Sequence, residues 1–232
     1  MLYIVATPIG NLKDISLRAL EVLKGVDLIL CEDTRVTKRL LNCYNIKTPV
    51  LSYHQHSQIK KINYILDLLK QGKNLALVSD SGTPGISDPG NKLIEKIEEL
   101  SSPVGELSSS KISPVPGPSA LAAAASVSGF PMNRFIFMGF PPAKKKRKKF
   151  FQEIISSKYP MIFYESPYRV LKTLGELELS SPGLEIVVCR ELTKKFETIY
   201  RGKIEEIIKK INPQGEFVVV VNRLYNIKKV AN

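Results

Sequence analysis

Short apolar runs alternate along this chain with stretches whose apolar positions recur every three or four residues. Runs of the first kind lie at residues 2–6, 28–31, 50–53, 75–78, 113–115, 135–138, 161–164, 185–188 and 217–221, and each predicts a β-strand. LALV, ending at Val78, and FVVVV, ending at Val221, are apolar at every position, as strands covered on both faces are. Between the runs a helical period shows. Leu17, Leu20 and Leu23 follow Asp14, a candidate N-cap, and the segment stops at Gly25. Residues 58–70 place Ile62, Ile65, Leu66 and Leu69 on one face, and Leu93, Ile94 and Ile97 continue a helix opened by Asp88 or Pro89. This alternation predicts an α/β fold with largely parallel sheets.

The rhythm pauses at residues 101–119, rich in Ser, Pro and Gly, which predicts a loop before a short strand. PGPS then leads into ALAAAAS, with Ser119 as a candidate N-cap. A division here gives two α/β domains, residues 1–115 and 116–232, each with four or five strands and with a cleft between them. Further on, the consecutive prolines of GFPPA forbid helix, so the basic run that follows starts exposed and opens the next helix.

Composition narrows the class. With 44% hydrophobic and 24% charged residues the chain reads as an ordinary soluble protein, and no apolar run is long enough to span a bilayer. MLYIVATPIGN has no basic leader region and reaches Pro8 and Gly10 too early for a signal peptide. Three widely spaced cysteines, Cys31, Cys43 and Cys189, predict free thiols in a reducing cytoplasm. The net charge of +12 makes nucleic acid a natural partner; without KKKRKK, residues 144–149, it is still +6.

The candidate chemistry sits directly after the strands. SDSGTPGISDPG, residues 79–90, has the glycines of a phosphate loop but matches neither familiar pattern. No G-x-G-x-x-G occurs in the chain, and in GISDPGNK the lysine is displaced by one, with no Ser or Thr after it. Its prolines also remove amide donors that a phosphate would use. Asp80, Ser81, Thr83, Ser87 and Asp88 suit amines or ribose hydroxyls better, although Asp88 could equally cap the next helix. CEDTRVTKRLL gathers Glu32, Asp33, Thr34, Arg35, Lys38 and Arg39 after another strand, as a site or as a capped helix with basic residues outward. His54 and His56 lack a third ligand at metal-binding spacing, so no metal is expected. IFYESPYR and CRELTKKFE put Glu165, Arg169, Arg190, Glu191, Lys194 and Glu197 after two later strands.

Taken in order, ATPIGNLKDIS, CEDTR, LVSDSGTPGISDPG, PGPSA, SGFP, GFPP, FYESPYR and RELTK resemble the bacterial ribosomal RNA small-subunit methyltransferase I family of the tetrapyrrole methylase superfamily. The resemblance covers nearly the whole chain. It implies a two-domain homodimeric methylase that binds S-adenosylmethionine in the interdomain cleft. The methyl group would go to the ribose 2′-hydroxyl of a cytidine in the decoding region of 16S rRNA. The cofactor residues implied are Pro8, Asp80, Ser81, Gly82, Ile86, Ser119, Ala120, Tyr164 and Leu192. Arg35, Lys38 and Arg39, with Lys144, Lys145, Lys146, Arg147, Lys148 and Lys149, would face RNA. Glu165, Arg190 and Lys194 are the candidates for assisting the weakly acidic hydroxyl.

The sequence departs from the family at several points. Tyr168 stands where the family commonly has histidine, and Ser57 and Gln58 replace an Asn–acid pair. The segment at residues 101–110 is longer than usual, and the chain stops soon after Val221, without the further helical extension of many relatives. Two other readings stay open: a precorrin-type tetrapyrrole methyltransferase on the same scaffold, and a non-catalytic RNA-binding ribosome assembly factor.

Overall fold

The structure, a computed structural model, describes residues 1–53, 59–88, 90–100 and 112–222. His54, His56, Ser57, Gln58 and the segment at 101–110 lie outside the described residues. The chain divides into two units, Met1–Ser119 and Ala120–Asn232, where the sequence had placed the division between residues 115 and 116.

The first unit is built on β1 (Leu2–Val5), β2 (Leu28–Cys31), β3 (Val50–Ser52), β4 (Leu75–Leu77) and β5 (Ile112–Val115). They form one sheet in the order β3-β2-β4-β1-β5, and every pairing is parallel. Between the strands run α1 (Leu17–Gly25), α2 (Thr34–Cys43), α3 (Ile59–Lys70) and α4 (Asn91–Leu100). Strand side chains alternate between two cores. Ile29, Cys31, Ala76 and Val78 pack with Ala19, Leu23, Leu40 and Leu41, whereas Leu30, Leu75 and Leu77 pack with Ile65, Leu69, Leu93 and Ile97. Both faces are covered, which explains why the strands carry no polar alternation.

Ser16, rather than Asp14, caps α1: its hydroxyl accepts from the Ala19 amide at 3.1 Å, while Asp14 belongs to a preceding 3-10 turn. Ser16→Ala is expected to cost about 1 kcal/mol. It would be read as a lower urea midpoint at unchanged m-value.

The second unit contains β6 (Ile136–Phe137), β7 (Met161–Glu165), β8 (Glu185–Arg190), β9 (Thr198–Lys203) and β10 (Phe217–Val221). Their order is β6-β7-β10-β8-β9. Here the expectation of parallel strands fails. Only β6–β7 is parallel; β7–β10, β10–β8 and β8–β9 are antiparallel. With both faces of the central strands buried, their apolar runs carry no information on direction. α5 (Ala120–Val127) lies against β7 and β10. On the other face α6 (Arg147–Ser156), α7 (Val170–Ser180) and α8 (Ile204–Lys210) supply Phe150, Phe151, Ile154, Leu174, Leu177 and Ile207 to one core. Among the described residues, no helix is long and apolar enough to cross a membrane.

Candidate active site

From β2 the chain moves outward to β3, and from neighbouring β4 it moves the other way, past β1 to β5. Ligands of parallel α/β sheets bind beyond the strands' carboxyl ends at such a switch. The segments that follow β1, β2 and β4 are joined there. The amide of buried Thr7 donates to the Gly82 carbonyl at 2.9 Å, and Gly82 returns the bond at 3.1 Å. Thr7 Oγ1 also donates to the Ser79 carbonyl at 3.1 Å. After β2, the Asp33 amide donates to Asp80 Oδ1 at 3.0 Å, tying the CEDTR segment to the Gly-rich loop.

The loop is held from inside by Asp88. Its Oδ1 accepts from the amides of Gly85 at 2.5 Å and Gly90 at 3.2 Å, while Asn91 Nδ2 donates to the Gly85 carbonyl at 3.1 Å. A Cβ on Gly90 would stand 3.1 Å from the Gly85 nitrogen, and one on Gly85 2.8 Å from Asn91 Oδ1. Asp88 therefore shapes the turn, and α4 starts after it, at Asn91. Thr83 Oγ1 donates to the Pro118 carbonyl at 3.2 Å, which joins the loop to PGPS. Asp80, Ser81 and Ile86 are left exposed on this frame, with Pro8 and Ser119 half-buried and Gly82 buried.

The charge at this edge is acidic. Burial, reinforced by the charges of Asp80 and Asp88, pushes the Glu32 carboxyl above its ordinary range. Asp33 is neutralised locally. Arg35 grips it through Nε at 3.0 Å and Nη2 at 2.6 Å, which holds its carboxyl down to about 2. Lys38 and Arg39 are exposed on α2, as is Arg35 beyond its pair.

In the second unit the three proposed catalytic side chains have other tasks. Glu165 and Arg190 end β7 and β8, both opposite Phe217 of β10. Glu165 is 2% exposed, with Oε1 accepting from the Ser166 amide at 2.7 Å and from Arg169 Nη2 at 2.9 Å, and Oε2 accepting from Thr173 Oγ1 at 2.5 Å. Both oxygens of this carboxylate are thus engaged within the second unit. Arg190 is 7% exposed and fastens two turns, donating to the Gln214 carbonyl at 2.6 Å and the Phe196 carbonyl at 2.8 Å. Lys194 bridges Glu191 at 2.9 Å and Glu216 at 3.0 Å. Burial alone would lower its pKa, but the hydrogen bonds to those two carboxylates outweigh it and the ammonium is held above its ordinary value. A lysine kept protonated cannot accept the hydroxyl proton.

Leu192, 9% exposed, sits between two non-glycine residues at positive φ, Glu191 at 53° and Thr193 at 64°. Strained backbone of this kind collects at functional sites. Gly215 makes it feasible: at φ +99°, a Cβ there would lie 2.5 Å from Glu191 Cγ. Tyr164 is half-buried, edge-on to Phe137 at 4.8 Å and Phe140 at 5.5 Å. Burial raises its pKa against the opposing effect of a hydrogen bond with the Leu121 backbone, beside Ala120 at the start of α5.

The basic run also needs correction. Lys144, Lys145, Lys146, Lys148 and Lys149 are exposed, and α6 opens within the run at Arg147, with Lys146 left-handed before it. Arg147 turns inward and is 8% exposed. It donates to Glu176 Oε2 at 2.5 Å, Thr173 Oγ1 at 2.7 Å and the Pro142 carbonyl at 3.0 Å, and lies 5.1 Å from the centre of the Phe151 ring. It is not available to RNA. Thr173 and Glu176, which complete this network, lie mid-helix with no signal in the sequence. Thr7, by contrast, stood within the TPIGN turn.

Residues 1–208 match the model of the tetrapyrrole (corrin/porphyrin) methylases, and the structure agrees in fold. The chain superposes on a solved cobalt precorrin-4 methyltransferase with a TM-score of 0.67 at 19% identity, covering 95% of this chain and 94% of that one. Ribosomal RNA small subunit methyltransferase I of Thermotoga maritima is 45% identical over 224 residues, 95% of this chain and 97% of its own. The protein of that name from Mycoplasmopsis pulmonis is 44% identical over 94% of this chain and 96% of its own. The chain belongs to the ribosomal RNA small subunit methyltransferase I family within the tetrapyrrole methylases.

Proposed function

We propose that this protein transfers a methyl group from S-adenosylmethionine to the ribose 2′-hydroxyl of a cytidine in the decoding region of 16S rRNA. The observation that carries the reading is the near full-length match, at 45% identity, to a relative named for action on small-subunit rRNA. The solved precorrin methyltransferase shares the fold at only 19% identity, which leaves the tetrapyrrole reading without comparable support.

The donor set fits the cofactor. When bound, S-adenosylmethionine supplies a methyl group on a positively charged sulfur, open to in-line displacement by an oxygen nucleophile. Glu32, Asp80 and Asp88 give the first sheet's edge a negative charge that suits a sulfonium and an ammonium. The same edge would repel a triphosphate. Asp80 and Ser81 are exposed for polar contact, Gly82 and Pro8 hold the backbone close through the Thr7–Gly82 bridge, and Ile86 offers apolar surface. Ser119, Ala120, Tyr164 and Leu192 are assigned to the same cofactor. In this reading the residues work by alignment: the oxygen–methyl bond forms as the sulfur–methyl bond breaks, and the hydroxyl proton passes to water rather than to Glu165, Arg190 or Lys194.

The deciding experiment incubates the protein with labelled S-adenosylmethionine and undermodified small ribosomal subunits, then maps nucleosides by mass. Label on a cytidine ribose is expected; label elsewhere, or none from folded protein, overturns the reading. A pH dependence follows from Glu32. Because its folded pKa is raised, the carboxyl gains its proton above the usual glutamate range as pH falls, and the acidic edge loses a charge. Cofactor affinity, measured by calorimetry, is expected to drop severalfold across that mildly acidic window. Glu32→Gln should flatten the profile.

A further inference from the structure

The turn between β6 and α6 displays side chains that the proposed methyl transfer does not use. Lys144, Lys145 and Lys146 are exposed along it, and Lys148 and Lys149 continue the charge on the first turn of α6. Phe140, at the turn's start, is 50% exposed, with its ring edge-on to Tyr164 at 5.5 Å. Tyr168 is 95% exposed and adjoins Arg169, whose Nη1 donates to the Pro141 carbonyl at 3.1 Å. Arg147 takes the next carbonyl, that of Pro142, at 3.0 Å. Two arginines thus hold consecutive proline carbonyls, and both lead into a network of buried Glu165 and Thr173 and half-buried Glu176. The fixed turn and the start of α6 carry Phe140 and five outward lysines. The β7–α7 connection, braced against them by Arg169, adds the Tyr168 ring, so cations and flat apolar faces are presented together.

We infer that this turn and Tyr168 form a seat for single-stranded RNA. Lys144, Lys145 and Lys146 contact phosphates, and Tyr168 and Phe140 stack on unpaired bases. The inference rests on the rRNA reading and adds to it which part of the protein holds the substrate and in what state. A base stacks on an aromatic ring only when it is out of the duplex, so the partner is an unpaired stretch. The charge match supplies affinity without sequence preference. The fixed turn lowers the ordering cost of binding.

The test titrates a short unstructured RNA oligonucleotide against full-length protein by fluorescence anisotropy at several salt concentrations. Tyr168→Ala is expected to weaken binding by about five- to a hundredfold, the range of one lost base stack, with Tyr168→Trp restoring it. Replacing Lys144, Lys145 and Lys146 by Gln is expected to reduce the slope of log affinity against log salt by about 2. S-adenosylmethionine affinity should be unchanged in all three variants, which separates the seat from the cofactor reading and from misfolding. RNA affinity and salt slope equal to wild type in the alanine and glutamine variants would overturn the inference even where the wild type methylates ribosomal subunits. So would loss of phosphatidylserine-vesicle binding with RNA affinity intact. If the wild type methylates no rRNA but these variants still lose oligonucleotide binding, the RNA seat stands and the proposed methyl acceptor falls.

Discussion

Arg147→Ala is expected to destabilise the second unit by about 1.5–3 kcal/mol, the usual cost of losing the charge-assisted hydrogen bonds of a buried side chain. The loss would leave half-buried Glu176 to the longer pair with Lys172 at 3.9 Å, take a donor from Thr173, which itself donates to Glu165, and release the Pro142 carbonyl. Chemical denaturation would show it, with Lys144→Ala beside it staying within about 0.5 kcal/mol of wild type because that side chain is exposed. Glu165→Gln belongs to the same experiment. It keeps the shape but weakens the pair with Arg169, so stability should fall while methyl transfer per folded molecule stays near wild type. A lost limb in the pH–rate profile of that variant would return Glu165 to the chemistry.

The second large effect concerns Asp80. Asp80→Ala is expected to weaken S-adenosylmethionine binding by about 1.5–3 kcal/mol, roughly ten- to a hundredfold in Kd, as removal of a charge-assisted contact does. Asp80 also accepts the Asp33 amide, so alanine removes both a charge and a tie between two strand ends. Asp80→Asn separates them, since its amide oxygen keeps the acceptor while the charge goes. If the charge matters, asparagine should retain most of the alanine defect in calorimetry. Full recovery in asparagine would assign Asp80 to the scaffold alone.

Much of the first unit was legible because its central strands, β2 and β4, are apolar throughout and its helices periodic. The positions of β2 and β10 follow directly from LILC and FVVVV. β9 was not, and the reason is physical. TIYRGK is an edge strand with no fully buried side chain, so no hydrophobic pattern marks it. Strand direction in the second sheet was equally hidden, because burial on both faces erases the alternation. At the site, motif position told more than residue chemistry did. Glu165, Arg190 and Lys194 looked reactive as charged residues following strands, yet Thr173, a turn into the next helix, and Gln214 and Glu216, more distant still, are among the partners that occupy them. No spacing rule reveals such partners. Asp88 was readable only as a choice between helix cap and site, and the two amides it accepts give it a third role inside the loop.

The inward turn of Arg147 also separates two properties that the run KKKRKK superficially merges. At the five outward positions, arginine and lysine are interchangeable to a good approximation, since the field around the turn depends on how many cations stand there. At residue 147 they are not, because three directed bonds and a ring contact need a planar guanidinium, whereas an ammonium's three donors diverge from one nitrogen and offer no flat face to the ring. Surface charge can therefore drift, be tuned or even be stripped from this corner without touching its architecture, provided one cation in six is left where it is.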